Sequence, residues 1–512
     1  MNDNVKYEHI PASEFAFTQS GADIHDKKLE TKSRGYFADA FLRFCKNKSS
    51  VVAAIIIGLQ MVFAIISPII SPYTVRDKDK RYVNYPPFVR AIADMNIGIL
   101  DGANTHPSQN EAQYNAWKAI GVETGMDPVL KILSTTDVIT IRRGKEVTTS
   151  SYKLKTNKYY EIGVVYRVFS YEEFEKIQQY QNETGLQIIY PYVEPKDIND
   201  ISDSANIWYE VSDSKGTPKL DKDGNFIPVY SKNKEIEGAP YNSLRIDGDD
   251  GSYIYSIRKS GSVQARVCYY NYYIYTNGRE PTYIFGTNSM GQDIFCAIGV
   301  GARFSIVFAI IVSVLNLTIG AVYGAIQGYY GGTIDLVLDR ISDILSNVPF
   351  IVVATLFQLH LAPKLGIVPS FLFAFVLTGW IGMAALTRKQ FYRFKGQEFV
   401  LAARTLGASD GRLMFKHIFP NSLGTIITSC ALVIPGVIRS ETTLTYLGII
   451  NISDFVGTSL GTLMSQGQSS MTTSPHAMFF PALYFSLLMI SFNLFGNGLR
   501  DAFNPSMRGV EG

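Results

Sequence analysis

One polar stretch decides the fold of this chain: Gln397-Glu-Phe-Val-Leu-Ala-Ala-Arg-Thr-Leu-Gly-Ala-Ser-Asp-Gly-Arg-Leu-Met-Phe-Lys-His-Ile-Phe-Pro420. It is too polar to cross a bilayer, yet it lies between two segments that are long and apolar enough to do so. Such a connection must lie at one membrane surface. Because basic residues outnumber acidic ones in and just before it, we expect that surface to be cytoplasmic.

The first half of this stretch has the spacing of a short amphipathic helix. Phe399, Ala402, Ala403 and Leu406 fall at positions i, i+3, i+4 and i+7, which places them on one helix face. The two alanines make the centre of that face nearly flat, so it is suited to contact a partner. Gly407 can end the helix by adopting a left-handed backbone conformation.

A second helix is expected to follow the glycine. Ser409 or Asp410 can cap its N-terminus, and Pro420 is expected to end the unit before the next membrane span. The sequence therefore predicts a helix-turn-helix on the inner membrane surface, which we call the inner knob (residues 397–420).

The pattern E-x3-A-A-x3-G in the inner knob, followed by an isoleucine and a proline, resembles the coupling loop of ABC importer permeases. The run at 402–410 is similar to the oligopeptide/dipeptide subfamily, in the C-type subunit of its two paralogous permeases. The resemblance implies that the knob contacts an ATPase subunit; the alternative is an ordinary amphipathic helix pair. The expected coupling residues are Glu398, Phe399, Ala402, Ala403, Leu406, Gly407, Ser409, Asp410, Ile418 and Pro420.

The resemblance covers about 36–90 and 282–508. Its other motifs are Asp39–Lys48, Ser67–Tyr73, Phe285–Asp293, Gly331–Pro349 and Phe492–Asp501. In the third of these motifs, Asn288 and Gln292 stand where the family has charged residues. The ionic contact expected from those charges is therefore in doubt here.

Composition indicates a membrane protein with a soluble part. The hydrophobic fraction is 46%, the charged fraction is 18%, and the net charge is +2, which gives no electrostatic reason to expect nucleic-acid binding. The cysteines (Cys45, Cys268, Cys296 and Cys430) have no C-x-x-C spacing, so no zinc site or redox pair is indicated. The sequence does not decide whether Cys268 and Cys296 form a disulfide outside the cell.

Six stretches are long enough to span a hydrocarbon core, which needs roughly 20 apolar residues of helix. They lie at about 50–71, 304–326, 344–361, 367–387, 424–447 and 478–498. A basic N-terminal region, including Lys27, Lys28, Lys32 and Arg34, precedes the first one. By the positive-inside rule both termini and the inner knob face the cytoplasm.

The region between the first two spans reads as a separate α+β domain on the outer face. Alternating or aromatic-rich runs at 158–169, 206–211, 253–257 and 265–275 suggest strands, and patches near 109–120 and 171–182 suggest helices. Calcium binding at its Asp/Gly turns is disfavoured, because EF-hand spacing would need acids where Lys219 and Ile246 stand.

These features divide the chain into four parts. They are a cytoplasmic N-terminal tail with an amphipathic segment (1–49), the first span (50–71), an extracellular α+β insertion (72–281) and a permease core (282–512) with spans two to six. The expected fold is thus an α-helical polytopic membrane protein. The resemblance makes its core a six-helix ABC importer permease bundle.

Charges near the spans are few and therefore informative, because burying a charge in lipid is costly. Arg439 and Glu441 in the fifth span are candidates for lining a translocation path, for a polar pair that holds the bundle, or for placement at the outer interface. Asp335, Asp339 and Asp343 recur on one helix face near Arg340 and suggest an interfacial stripe at the cytoplasmic entry to the third span.

Motifs for chemistry are missing from the sequence. It contains no G-x-x-x-x-G-K-[ST] phosphate loop, no H-E-x-x-H and no G-x-S-x-G. We therefore expect no catalytic residue, no bound metal and no cofactor in this chain. The resemblance implies that partner ATPase subunits bind ATP and magnesium.

The resulting hypothesis is a plasma-membrane permease subunit of an ATP-driven oligopeptide importer. By the resemblance, its partners are a paralogous permease, two cytoplasmic ATPases and an extracellular peptide-binding lipoprotein, besides membrane lipid. Import of nickel, glutathione or a glycan by the same subfamily is an alternative. A membrane receptor with an extracellular ligand domain is another, although no cytoplasmic output domain is recognised in the sequence.

Overall fold

The computed structural model describes residues 36–95, 97–142, 145–193, 205–212, 217–231 and 253–503. The basic residues before position 36, Ile246 and the C-terminal end beyond 503 lie outside these ranges.

The described chain is mostly helical, with two small sheets in its first half. The helices are α1 (Tyr36–Lys46), α2 (Lys48–Ile70), α3 (Arg90–Ala93), α4 (Glu111–Thr124), α5 (Lys158–Glu161), α6 (Tyr171–Thr184), α7 (Tyr269–Asn277), α8 (Ile294–Tyr330), α9 (Gly332–Ser346), α10 (Phe350–His360), α11 (Ala362–Leu365), α12 (Ile367–Gly379), α13 (Ile381–Phe394), α14 (Glu398–Thr405), α15 (Asp410–Arg412), α16 (Phe419–Tyr446), α17 (Ser453–Val456), α18 (Leu460–Ser469) and α19 (His476–Phe503). The strands are β1 (Ala103–Asn110), β2 (Val129–Arg142), β3 (Lys145–Asn157), β4 (Val164–Phe169), β5 (Ile189–Tyr190), β6 (Ser256–Lys259) and β7 (Ser262–Cys268).

Five helical segments are long and apolar enough to cross a membrane, or six if one bent pair counts as a span. The five are α2, α8, α12 with α13, the helical run Asp410–Tyr446, and α19. The bent pair is α9 and α10, whose axes differ by 74°. The third span predicted at about 344–361 is therefore not one continuous helix, because a bend interrupts it between Ser346 and Phe350. Pro349 explains the break, because proline has no amide hydrogen to donate and disfavours helical geometry at the residue before it.

Helices α8 and α13 pack closely because α8 presents glycines to its neighbour. Gly320, Gly324 and Gly328 lie four residues apart along α8. A Cβ atom on Gly324 would lie 2.2 Å from the carbonyl oxygen of Ala384, and one on Gly320 would lie 2.6 Å from that of Trp380. Small residues at this spacing let two helix backbones approach in a membrane. The close contact between α8 and α13 therefore depends on the lack of side chains at these three glycines.

The first and last membrane helices are joined by a reciprocal pair of hydrogen bonds. The Gln60 amide donates to the backbone carbonyl of Tyr484 at 2.9 Å, and the Tyr484 hydroxyl donates to the backbone carbonyl of Gln60 at 2.9 Å. Both groups are buried, where each would be costly without a partner. The pair fixes α2 against α19.

The region between α2 and α8 contains two antiparallel sheets. One has the order β1-β3-β2, and the other has the order β4-β7-β5 with β6 also paired to β7. A fully buried Arg266 on β7 links the two halves, since its guanidinium donates to both carboxylate oxygens of Glu123 on α4 at 2.9 Å. Such a bidentate pair fixes orientation as well as distance.

All four predicted strands differ from the structure over at least part of their length: the run at 206–211 forms only isolated bridges, and the strand expected at 253–257 begins at Ser256. Lys158–Glu161 is a short helix, because the Asn157 side chain accepts a hydrogen bond from the Tyr159 amide and starts a helical turn. The aromatic run after Cys268 is helix α7 and not strand, and four of its tyrosines are buried. A short aromatic run favours a strand by propensity, but tertiary packing decides the outcome. Both Cys268 and Cys296 are free thiols, so no disulfide joins them.

The sheet-containing region is fixed to the end of the helical core at which α8 begins. Phe88 and Tyr283 exchange backbone hydrogen bonds of 2.8 and 2.9 Å. The Thr287 hydroxyl donates to the carbonyl of Tyr82 at 2.6 Å and accepts from the Tyr85 amide at 2.8 Å. These hydrogen bonds connect the two segments through which the chain enters and leaves the sheet-containing region. The region is therefore bonded to the core and not attached by its chain ends alone.

A Gly324→Ala substitution should destabilise the protein, because its methyl group would overlap the backbone of α13. Overpacking of this kind costs about 1–3 kcal/mol. Gly382→Ala is the matched control, since a Cβ at Gly382 has no neighbour within 4 Å. That change should be neutral or stabilising by up to about 1 kcal/mol, because alanine favours helix more than glycine does. Thermal unfolding in detergent measures both, and equal midpoints for the two variants would contradict the close contact.

Candidate coupling site

The inner knob begins with α14, which ends at a left-handed glycine as the sequence predicted. Gly407 has a φ of +84°. Its amide donates to the Arg404 carbonyl at 3.0 Å, and the Ala408 amide donates to the Ala403 carbonyl at 3.1 Å. This bonding is the Schellman arrangement, which satisfies carbonyls at a helix end. The turn after α14 is therefore fixed by backbone bonds that need a positive φ.

The apolar face predicted for α14 is divided between two environments. Phe399, Ala402 and Leu406 are exposed, and Leu406 is 88% exposed. Ala403 is partly buried, and the fully buried residue of the helix is Val400. Val400 was not predicted from the sequence, although the continuous apolar run at 399–403 could have indicated a second apolar face. One side of α14 holds it to the protein and the other is free to bind.

The buried side of α14 belongs to an apolar cluster at the inner ends of the membrane helices. Its buried members are Ala325, Tyr329, Phe391, Val400, Leu413, Met414 and Ile418. These residues come from α8, α13, α14 and the turn after α15. The inner knob is therefore packed on the ends of α8 and α13, the two helices that the glycines bring together.

Neither candidate cap of the second helix acts as predicted. Ser409 occupies the N-cap position, but its side chain makes no capping bond, and only its carbonyl accepts from Leu413 at 2.9 Å. The Asp410 carboxylate instead accepts a hydrogen bond from the Tyr329 hydroxyl at 2.6 Å. Tyr329 lies at the end of α8, so this bond is a second attachment of the knob. A contact between residues 81 positions apart leaves no local sequence signal.

Pro420 does not end the unit, and this prediction is wrong. Residues Leu413–Ile418 form a π-helical turn that leads directly into α16, and Pro420 lies in the first turn of α16. The Phe419 amide donates to the carbonyl of Met414, five residues earlier. Proline is tolerated in a first turn, and single π-helical turns often occur at functional sites. Ile418, in contrast, is fully buried beneath the knob.

Glu398 lies in the first turn of α14, where a carboxylate is favoured by the helix dipole. Its side chain is exposed beside Phe399. The exposed side of α14 therefore combines the Glu398 carboxylate with the apolar side chains of Phe399 and Leu406.

Arg439 and Glu441 do not form the predicted polar pair. Glu441 is fully buried and accepts hydrogen bonds from the hydroxyls of Ser305 at 2.7 Å and Thr445 at 3.4 Å. Arg439 is exposed, and within the described ranges neither residue has an ion pair. The hydroxyls join α8 to α16 through Glu441, so this carboxylate holds the bundle without a cation. Lining of a path by either residue stays a prediction.

The motif 285–293 contains a neutral contact where the family motif has charges. The Asn288 amide donates to the Gln292 side-chain oxygen at 2.8 Å, and both residues are buried. Asp293 caps α8 by accepting from the amides of Phe295 and Cys296. Burial raises the pKa of Asp293 to about 6. The polar amides thus keep the turn closed without an ion pair.

Comparison with known proteins identifies the core. Residues 320–509 match the family described as binding-protein-dependent transport system inner membrane component, and residues 35–87 match the N-terminal transmembrane domain of oligopeptide transport permease C. The oligopeptide transport permease OppC of Bacillus subtilis is 42% identical over 224 residues, which cover 44% of this chain and 72% of that protein. The chain belongs to the oligopeptide/dipeptide family of ABC permeases, as a C-type subunit.

Other relatives of this C-type permease include OppC of Escherichia coli, 34% identical over 45% of the chain and 74% of the relative. A glutathione transport permease of Salmonella paratyphi A is 32% identical over 47% of this chain and 78% of that relative. A solved methionine ABC transporter is similar at 13% identity and a TM-score of 0.34, over 41% of this chain and 96% of that one. The two family matches leave residues 88–319 unassigned. In this family the ATPase is a separate subunit, so the permease itself is not an enzyme.

A Gly407→Val substitution should uncouple the C-type permease from its ATPase while leaving membrane insertion intact. A β-branched residue at positive φ costs about 1–3 kcal/mol, which the turn can avoid only by changing the direction of the chain after α14. Gly407→Asn should retain most activity, because asparagine tolerates this conformation.

Gly411→Val is the matched control in the same segment. Gly411 has no positive φ, and a Cβ there would meet no atom within 4 Å. The measurement is ATP-driven solute uptake by the assembled transporter, normalised to the amount of inserted permease. Equal uptake by the Gly407→Val and Gly411→Val variants would show that the turn is not needed.

Proposed function

We propose that this permease subunit imports oligopeptides with energy from ATP that two cytoplasmic ATPase subunits hydrolyse. A paralogous permease forms the other half of the path. The observation that carries the proposal is the inner knob, which presents an exposed apolar face while its buried face is fixed to two membrane helices. Exposed contiguous apolar surface on a rigid support is typical of a protein interface.

The mechanism follows from how the knob is attached. When the ATPases close on ATP, their movement displaces the surface that holds Phe399 and Leu406. Because Val400 and Asp410 attach the same segment to α8 and α13, the displacement moves those helices as a rigid unit. The path then opens outward, and ATP hydrolysis returns it inward.

Oligopeptides are the proposed substrate because several relatives are named for oligopeptide or dipeptide transport. Glutathione is the second candidate, which the glutathione transport relative favours. Oligopeptides share a peptide backbone but vary in their side chains. A path shared by such substrates cannot bind each side chain tightly, so selectivity belongs to a separate binding protein.

We further propose that the sheet-containing region lies outside the cell and docks an extracellular peptide-binding lipoprotein. It is fixed to the outer end of the core by Tyr82, Phe88 and Thr287, where a binding protein must release its peptide. Because the attachment is rigid, docking there would place the partner at one orientation relative to the path. Both termini and the inner knob are then cytoplasmic.

A Leu406→Glu substitution should release the ATPase subunits during purification and abolish uptake of a labelled oligopeptide in proteoliposomes. Burying a leucine at an interface contributes about 1.5–3 kcal/mol, which is roughly tenfold or more in affinity, and a buried carboxylate costs further free energy. Leu406→Met should behave as wild type. If the wild-type complex fails to import oligopeptides but retains its ATPases, the coupling surface stands and the substrate is wrong.

Labelling with a membrane-impermeant thiol reagent in intact cells tests the orientation. In a background where Cys45 is replaced, Ser134→Cys on the exposed part of β2 should react, while Ser409→Cys in the inner knob should react only after the cells are opened. Added binding protein should slow the reaction at Ser134 if docking occurs near the hairpin. The reverse labelling pattern would place the inner knob outside and exclude its contact with ATPases.

A further inference from the structure

Helix α9, the inner half of the broken third span, buries few of its side chains against the rest of this chain. It is joined to α8 through Gly331 and Gly332, whose φ angles of +66° and +55° are favoured by glycine. Among its side chains only Asp335 and Ser342 are buried. Five of its seven large aliphatic residues are exposed, namely Ile334, Leu336, Val337, Ile341 and Ile344, while Leu338 and Leu345 are partly buried. Apolar packing within this chain therefore does little to fix its position.

A polar clamp holds α9 instead. The two terminal nitrogens of Arg388 on α13 donate to Asp339 at 2.5 Å and to Asp335 at 2.7 Å. The Tyr392 hydroxyl donates to the same oxygen of Asp335 at 2.5 Å. The two aspartates lie four residues apart, as do Arg388 and Tyr392, so one turn of each helix meets the other. A planar guanidinium that bridges two carboxylates fixes direction as well as distance. The Arg340–Asp343 contact, in comparison, is exposed and longer at 3.4 Å.

The helix that carries the clamp is the one that leads into the inner knob. Its last turn contains Phe391, which is buried in the same cluster as Val400 of α14. Just beyond α13, the Lys395 ammonium donates to the carbonyl of Gly328 at 3.0 Å. The end of α13 and the inner knob therefore form one packed unit, and Arg388 connects α9 to it.

We propose that Arg388 is a positioning residue that makes α9 follow the inner knob when the ATPases move it. The glycine pair alone would leave α9 free to turn relative to the unit formed by α8, α13 and the inner knob, and the clamp prevents this. A second bond, donated by the Tyr323 hydroxyl to the Leu338 carbonyl at 2.7 Å, attaches α9 to α8 of the same unit through a single uncharged contact. Arg388 thereby extends the motion of the coupling surface to the third span. This inference rests on the proposed ATP-driven movement, but not on the identity of the transported solute.

The test measures the distance between spin labels on Leu336→Cys in α9 and Leu401→Cys in α14, in a background without other cysteines. Both positions are exposed. The assembled complex is compared without nucleotide and with trapped ATP, and no peptide is added. With Arg388 present, we expect one narrow distance distribution that is the same in both states. Arg388→Met should broaden the distance distribution or make it differ between the nucleotide-free and ATP-trapped complexes. Arg388→Lys should partly restore the narrow distribution.

Lys389→Met is the matched control, because Lys389 is the exposed neighbour of Arg388 on the same helix. If Arg388→Met prevents assembly, Asp335→Asn combined with Asp339→Asn removes the two carboxylate charges that Arg388 bridges while keeping side-chain shape. In either clamp variant, uptake per ATP hydrolysed should fall about tenfold, within the range usual for coupling between sites. A distance that changes with nucleotide while Arg388 is present, or a clamp variant with normal distances and normal uptake per ATP, would overturn the proposal. A wild-type complex that keeps the expected distances but imports no oligopeptide would overturn only the proposed substrate.

Discussion

The close contact between α8 and α13 is the constraint on which the inner half of this permease depends. Gly320, Gly324 and Gly328 allow it, because any side chain at these positions would overlap the backbone of α13. In a membrane, apolar side chains gain little by leaving lipid, so backbone approach and dispersion must supply much of the association. Once the two helices are together, their inner ends form a single platform. The inner knob is built on that platform and has no comparable support of its own.

The inner knob combines two properties that usually conflict. Val400 and Ile418 are buried and make it rigid, whereas Leu406 is almost fully exposed and gives it an apolar binding surface. An exposed leucine on a mobile loop would lose much of its binding free energy to ordering. Here the ordering has already occurred in the fold, through the left-handed turn at Gly407 and the bond from Tyr329 to Asp410. A partner bound to this surface could therefore transmit its movement to the helical bundle.

The outer region shows how a permease core can carry a large insertion without loss of its own packing. The insertion begins after α2 and returns before α8, and hydrogen bonds between Phe88 and Tyr283 close its base. Beyond that base, the region has its own cores, and the buried pair of Arg266 and Glu123 joins its two sheets. A buried charge pair contributes orientation more surely than stability. Thr287, which lies just before α8, forms hydrogen bonds at the same base, so the insertion and the helical bundle meet at one junction.

The amino-acid sequence was enough to predict the class of the protein, the rough position of its apolar segments and the left-handed Gly407 of the inner knob, but not that one of the six expected spans is a bent helix pair. Hydropathy and residue spacing are local properties, and these features depend on them alone. Only the tertiary structure decided that Val400 and not Leu406 is buried, that the third span bends at Pro349, and that Glu441 is bonded to hydroxyls while Arg439 is exposed. Spacing identifies which residues are apolar but not which of two apolar faces meets the protein, and contacts such as Tyr329 with Asp410 or Arg388 with Asp335 join residues far apart in the chain.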